Sequence, residues 1–425
     1  MKTKIRLLAM LLIVCSVMSL TSCYLSDLGF ELPMLSGEGN GNGSSQSNGD
    51  TYINVEGGDN LDITINSSSS ENILAAAKSL LSTVSVYCEF EKTASGFGGV
   101  AGQTQKYSSA GSGVIYWLDK KAGDAIIVTN HHVVYDLNAN TKNHISDKIQ
   151  IFLYGQQLSQ YAIDAEYVGG SMNYDLAVLK VEKNTVLMES GAIAADIADS
   201  NSVSVLESAI AIGNPEGSGI SATVGHVNVE SEYIQMMGAD NQTYVEYRVM
   251  RVDAAVNSGN SGGGLFNSRG ELIGIVNAKM SSSSVDNIGY AIPSNVVKGV
   301  VENIRYYCEG KEADTLKRCI MGITVSANSS KAEYDTATGK IRIVEEVMIS
   351  DITATSSVKS YLKKNDVINS INIDGVKHEV IRIYNVVDAM LNARVGSSVV
   401  LNVTRNGEQL DITVPIVESM LTEYK

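Results

Sequence analysis

The sequence predicts a mainly β protein: a barrel or sandwich of short strands, followed by a smaller α+β unit. Three observations carry this. Between residues 72 and 291, apolar runs such as Ala125-Ile126-Ile127-Val128-Thr129, Leu176-Ala177-Val178-Leu179-Lys180-Val181 and Leu272-Ile273-Gly274-Ile275-Val276 alternate with Gly, Asn and Asp turns, without intervening helices. Residues 293–306 then read as a helix, with Val296, Val297, Val300, Val301 and Ile304 on one face and Ser294 as its cap. Further on, strands at 399–404 and 409–414 flank Asn406-Gly407, a strong hairpin signal.

Taken in order, the chain starts with an address. Lys2, Lys4 and Arg6 precede an apolar run from Leu7 to Leu20, shorter than the roughly 20 residues of a membrane span. Leu20-Thr21-Ser22-Cys23 resembles the lipobox of bacterial lipoproteins. That resemblance implies a signal peptide at 1–22, a diacylglycerol on Cys23, and an exported protein anchored by lipid to the cell membrane, on its extracellular face or periplasmic side. Two acyl chains suffice for stable attachment. Residues 23–71 are Gly, Ser, Asn and Asp rich and read as a flexible tether, with a weakly alternating stretch at 52–65.

Composition excludes several classes. Of 425 residues, 44% are hydrophobic, enough for real cores. The net charge is −15, and without the signal 29 basic residues face 47 acidic ones, net −18. Such a field argues against non-specific nucleic-acid binding. Five cysteines are too few for a disulfide scaffold, and after processing Cys88, Cys308 and Cys319 remain. Cys308 and Cys319 are close enough in sequence to close a small loop. No CxxC pairs or EF-hand pattern appear, so neither metal nor cofactor is expected. His144, His226 and His378 read as surface or structural groups, Asp196, Asp199 and Glu207 as a solvated face, and Ser281–Ser284 as a loop.

The chemistry concentrates in Asp253-Ala254-Ala255-Val256-Asn257-Ser258-Gly259-Asn260-Ser261-Gly262-Gly263-Gly264-Leu265. A nucleophilic serine needs an exposed hydroxyl, nearby N–H donors and close substrate approach, which glycines permit. A phosphate cradle is the alternative, but no GxxxxGK[ST] motif is present. Two motifs precede it: Thr129-Asn130-His131-His132-Val133-Val134 after one strand, and Ser171-Met172-Asn173-Tyr174-Asp175-Leu176 before another. His, Asp, Ser is the chain order of chymotrypsin-like proteases.

With Ser109-Ala110-Gly111-Ser112-Gly113-Val114-Ile115, Ala211-Ile212-Gly213-Asn214-Pro215-Glu216-Gly217, Thr223-Val224-Gly225-His226-Val227 and Gly289-Tyr290-Ala291-Ile292-Pro293-Ser294-Asn295, residues 72–418 resemble an HtrA/DegP-type trypsin-like serine protease. The resemblance implies a chymotrypsin-like double β-barrel at 72–308. Ser261 is then the nucleophile, His132 the base and acid, and Asp175 the group that orients it, while the N–H groups of Gly259 and Ser261 form the oxyanion hole. His131 competes with His132, but in the motif the histidine directly precedes the two valines, so His131 reads as a partly exposed polar residue. The family usually has Asn at that position. Gly264 replaces a usual Pro, and the added backbone freedom is expected to loosen the site. Asn260 cannot pair with a freed N-terminal amine as the digestive enzymes' Asp does, so activation is expected from loop ordering. Ala255 and Val256 would line a small apolar specificity pocket, implying cleavage after residues such as Val, Ala or Ile, which are buried in folded proteins.

Residues 316–418 resemble a PDZ domain, on Ser360-Tyr361-Leu362-Lys363-Lys364-Asn365-Asp366-Val367-Ile368-Asn369-Ser370-Ile371-Asn372 before Asp374-Gly375, with residues 385–394 as its helix. Cys319-Ile320-Met321-Gly322-Ile323 would be its carboxylate loop, the N–H groups of Ile320, Met321, Gly322 and Ile323 receiving a peptide C-terminus. The implied function is a membrane-tethered serine endopeptidase acting on unfolded or misfolded exported proteins or a regulatory target, and the implied assembly is a homotrimer. The alternative is a catalytically silent PDZ-bearing scaffold or holdase.

Overall fold

The computed structural model describes residues 71–93, 104–156, 158–217, 219–277, 288–311, 313–336 and 339–424. The signal peptide, Cys23, nearly all of the tether with its 52–65 stretch, and the Ser281–Ser284 loop lie outside them. Helix α1 (Glu71–Leu80) leads into β1 (Thr83–Thr93), β2 (Thr104–Asp119), β3 (Asp124–Thr129), β4 (Lys148–Leu153), β5 (Ile163–Ser171) and β6 (Leu176–Val181). These close a barrel in the order β1-β2-β3-β6-β5-β4. A second barrel, ordered β10-β11-β12-β9-β8-β7, uses β7 (Ser208–Gly213), β8 (Ser221–Met237), β9 (Tyr244–Val252), β10 (Gly264–Phe266), β11 (Leu272–Asn277) and β12 (Gly289–Pro293). Closure removes free sheet edges, and each barrel fills with the Val, Ile and Leu side chains that marked its strands.

Helix α2 (Ser294–Cys308) follows β12 directly. Val296, Val297, Val300, Val301 and Ile304 are all buried in the core shared with β7, β9 and β11, each contributing about 1.5–3 kcal/mol. Ser294 does not cap it. Its buried hydroxyl donates to the Ala198 carbonyl at 2.6 Å, so Ser294 ties the helix start to the preceding loop.

The last part is a sheet ordered β14-β15-β16-β18-β19, with β17 beside β16. Its strands are β14 (Ile323–Asp335), β15 (Lys340–Ile352), β16 (Val367–Ile373), β17 (Val376–Glu379), β18 (Ser398–Arg405) and β19 (Glu408–Pro415), with helix α3 (Ile383–Met390) packed on it. The helix begins two residues earlier than its apolar pattern suggested, because Asn385 Oδ1 accepts from the Ile381 and Arg382 N–H groups and closes the first turn. Asn406 (φ 52°) and Gly407 (φ 83°) make the type I′ turn their sequence announced. Asn365 takes φ 71°, as its place in the PDZ-like motif requires. Past this sheet, β20 (Leu421–Glu423) returns to pair with β13 (Lys317–Cys319). Cys88, Cys308 and Cys319 are free thiols, all buried, so Cys308 and Cys319 do not close a loop.

Candidate active site

Three strand ends converge. β3 stops at Thr129, and Asn130 opens a single helical turn, His131–Val134. The β5–β6 connection sets Asp175 in the left-handed region, φ 49°, a conformation that costs a non-glycine residue and persists only where neighbours enforce it. Those neighbours are on hand. Asn130 Nδ2 donates to the Asp175 carbonyl at 2.8 Å, and the Asp175 N–H donates to Met172 O. The His132 N–H donates to Asp175 Oδ1 at 3.0 Å, and His132 Nδ1 lies 2.7 Å from Asp175 Oδ2. Burial alone would push the Asp175 carboxyl up, but the charge and hydrogen bonds of His132 outweigh it and hold the group below the usual carboxylate range.

Ser261 follows a tight turn. Gly259 has φ 93° and the Asn260 N–H closes on Asn257 O at 3.0 Å, while Ser258 keeps negative φ, which together define a type II turn. Among the described residues the Gly259 N–H meets no acceptor, as an oxyanion donor requires. Gly262, at φ 84°, admits no side chain: a Cβ there would sit 2.1 Å from Ser112 O. Gly264 is not the loosening expected of it. It pairs with Ile212 on one side and Ile275 on the other, and a Cβ would strike the Phe266 ring at 2.2 Å, so the strand holds this glycine in place.

His131 departs from the partly exposed position its sequence suggested. It is buried, its ring 5.1 Å from that of Tyr135 and pressed against Gly170, so it packs the first barrel. Of the two pocket candidates, Ala255 is exposed, while Val256 packs into the second barrel's core beside Gly289. Asn277 was not marked by any motif, yet its Nδ2 donates to Asp175 Oδ2 at 2.8 Å and to Tyr247 Oη at 2.6 Å, and Tyr247 Oη in turn reaches Met236 Sδ at 2.8 Å. The only sequence signal was an asparagine ending an otherwise apolar strand.

In the PDZ-like unit, Gly322 takes φ 70° and Met321 O accepts from Ser356 Oγ. The Ile320 N–H is already spent on Met420 O at 2.8 Å, which removes it from the proposed donor set. The N–H groups of Met321 and Gly322 meet no acceptor among the described residues. Among those residues no group of three or more His, Cys, Asp or Glu side chains could hold a metal ion.

Known proteins are similar to the chain over both of these regions. Residues 111–275 match the trypsin-like peptidase domain, and residues 319–416 match the PDZ domain. The serine protease Do-like HtrA of Lactococcus lactis subsp. cremoris (strain MG1363) is 28% identical over 377 residues, covering 85% of each chain. The HtrA of Lactobacillus helveticus is 31% identical over 324 residues, 74% of this chain and 70% of that one. The periplasmic serine endoprotease DegP of Escherichia coli (strain K12) is 31% identical over 325 residues, 76% of this chain but 60% of DegP.

Proposed function

Since the chain belongs to the HtrA/DegP-type serine proteases, with a trypsin-like peptidase domain and a PDZ domain, we propose that it is a lipid-tethered endopeptidase of exported, unfolded or misfolded proteins. The observation that carries the catalytic part is Asp175, held at φ 49° with its carboxylate on both the backbone and the ring of His132.

With Asp175 accepting the Nδ1–H, the His132 lone pair is on Nε2, where a general base needs it. Ser261 Oγ attacks the scissile carbonyl carbon and gives its proton to Nε2. The tetrahedral oxygen takes its negative charge toward the N–H groups of Gly259 and Ser261. The imidazolium then protonates the leaving amine, and an acyl–Ser261 ester remains. Water, deprotonated by His132, attacks that ester, and collapse returns the proton to Ser261. Asp175 stays ionised throughout, its low pKa supporting this role.

Ala255, small and uncharged, fits a preference for small or medium apolar residues before the cut. The PDZ unit at 316–418 would receive peptide C-termini on the Met321 and Gly322 N–H groups, with the strand from Ile323 beside the peptide. The peptidase domain spans 72–308, residues 1–22 are a signal, and Cys23 carries the lipid at the end of the 23–71 tether. Assembly as a homotrimer completes the proposal. The test is casein hydrolysis by the wild type and by Ser261→Ala, over a range of temperatures. Turnover by the wild type alone is expected. Two equally inert proteins would point instead to a PDZ-bearing scaffold or holdase.

A further inference from the structure

The Gly111-Ser112-Gly113 motif of β2 has no part in the chemistry so far, yet Ser112 is fully buried and bonded to the turn before Ser261, to Ser261 itself and to the end of β3. Its N–H donates to Ser261 O at 2.8 Å. Its carbonyl accepts from Thr129 Oγ1 at 2.6 Å, at the end of the strand that leads to His132. Its hydroxyl donates to Gly259 O at 2.7 Å and accepts from the Asn214 N–H at 2.7 Å. The hydroxyl's one proton is therefore committed to the turn that precedes Ser261, and one of its two lone pairs to Asn214.

That commitment bears on the oxyanion hole. The Gly259 N–H is useful only if the turn keeps its type II form, since the alternative type I turn flips the peptide between residues 258 and 259 and carries this N–H away. Glycine itself has little preference between the two signs of φ. The following peptide is held at both ends, its carbonyl by Ser112 Oγ and its N–H by Asn257 O. Both turn types keep ψ of this residue at about 0°, so the pin acts on where the turn stands: together with the Ser112 N–H on Ser261 O it fixes the turn against β2, and with it the direction of the Gly259 N–H. Without the hydroxyl, the buried Gly259 carbonyl loses its partner, and rotating the turn becomes a way to find another.

We infer that Ser112 is a positioning residue for the oxyanion turn, holding the Gly259 carbonyl so that its N–H stays presented to the tetrahedral intermediate. The inference rests on the reading of Ser261 as nucleophile.

The test uses full-length protein with a chromogenic peptide substrate and a peptide boronic acid of the same sequence, whose tetrahedral adduct places an oxygen in the hole. Ser112→Ala removes the donor. Ser112→Cys keeps the volume with a poor donor and guards against a folding defect. In both, kcat should fall about 10- to 100-fold with KM within about threefold, less than outright loss of a hole donor. Boronate affinity should fall by a similar factor. Ser82→Ala, which removes a comparably buried hydroxyl bond to Ser79 O, should leave both values unchanged. A folded Ser112→Cys with wild-type kcat and boronate affinity overturns the inference. So does a crystal structure of the wild-type boronate adduct in which Gly259 O has left Ser112 Oγ. Ser261→Ala separates the two levels: if it turns over substrate as well as the wild type, the nucleophile reading fails and takes this one with it. If it is inert while Ser112→Cys is normal, only this inference fails.

Discussion

Two seams cross the described chain, and each holds an aspartate largely removed from solvent. Asp175 sits in the cleft between the barrels and Asp388 on α3, where that helix meets β9. Asp175 receives three donors, two from His132 and one from Asn277, and its carboxyl is held below the usual range. Burial pushes the Asp388 carboxyl up, and Arg248, at 2.6 Å and itself only 3% exposed, does not fully offset it. Burial is common to both; against it Asp175 has the charge of His132 and two hydrogen bonds from that residue, where Asp388 has the charge of Arg248 and one hydrogen bond from it. A site that needs a permanent anion surrounds it with N–H groups, whereas a structural ion pair tolerates an incomplete shell.

That contrast can be broken most severely at Asp175. Asp175→Asn should lower kcat about 10⁴-fold with the fold intact, because the amide favours the wrong His132 tautomer. A loss under tenfold on a chromogenic peptide would deny the role. The depressed carboxyl also contributes stability that is present above about pH 3.9 and lost as pH falls through its lower folded value. Acid-range urea denaturation of Asp175→Asn should lack that component. Next in size, Asp388→Ala leaves Arg248 buried without its carboxylate, and denaturation should report a loss of about 3–5 kcal/mol. Replacing both partners, Arg248→Met with Asp388→Leu, should recover most of it. Recovery marks a replaceable pair, and failure to recover would place Asp388 closer in kind to Asp175. The smallest effect is at Asn277. Losing one charge-assisted bond to Asp175 in Asn277→Ala should cost kcat about tenfold with KM unchanged. A change in KM alone would indicate a role in binding.

The strands, the Asn406-Gly407 hairpin and the pairing of His132 with Asp175 were legible because each is written locally, in alternation, turn chemistry or a contiguous motif. What escaped is set by partners distant in sequence. His131 is buried because Gly170 leaves room for its ring and Tyr135 packs on it. Ser294 had the right residue type for a cap, but the Ala198 carbonyl claimed its hydroxyl. Gly264 looked free until strands on both sides paired with it. Ser112 and Asn277 stand in ordinary strands, and only barrel closure brings them to the turn before Ser261 and to the Asp175 carboxylate.

The return of β20 has a temporal consequence. Ser171 Oγ donates to the Tyr424 carbonyl, 253 residues further along, and the Tyr424 ring packs on Tyr174, the neighbour of Asp175. Synthesis runs from the N-terminus, and domains emerge in that order. The ribosome therefore releases a complete pair of barrels, ending at Pro293, while the turn bearing Asp175 still lacks the support that arrives only with Tyr424, 131 residues later.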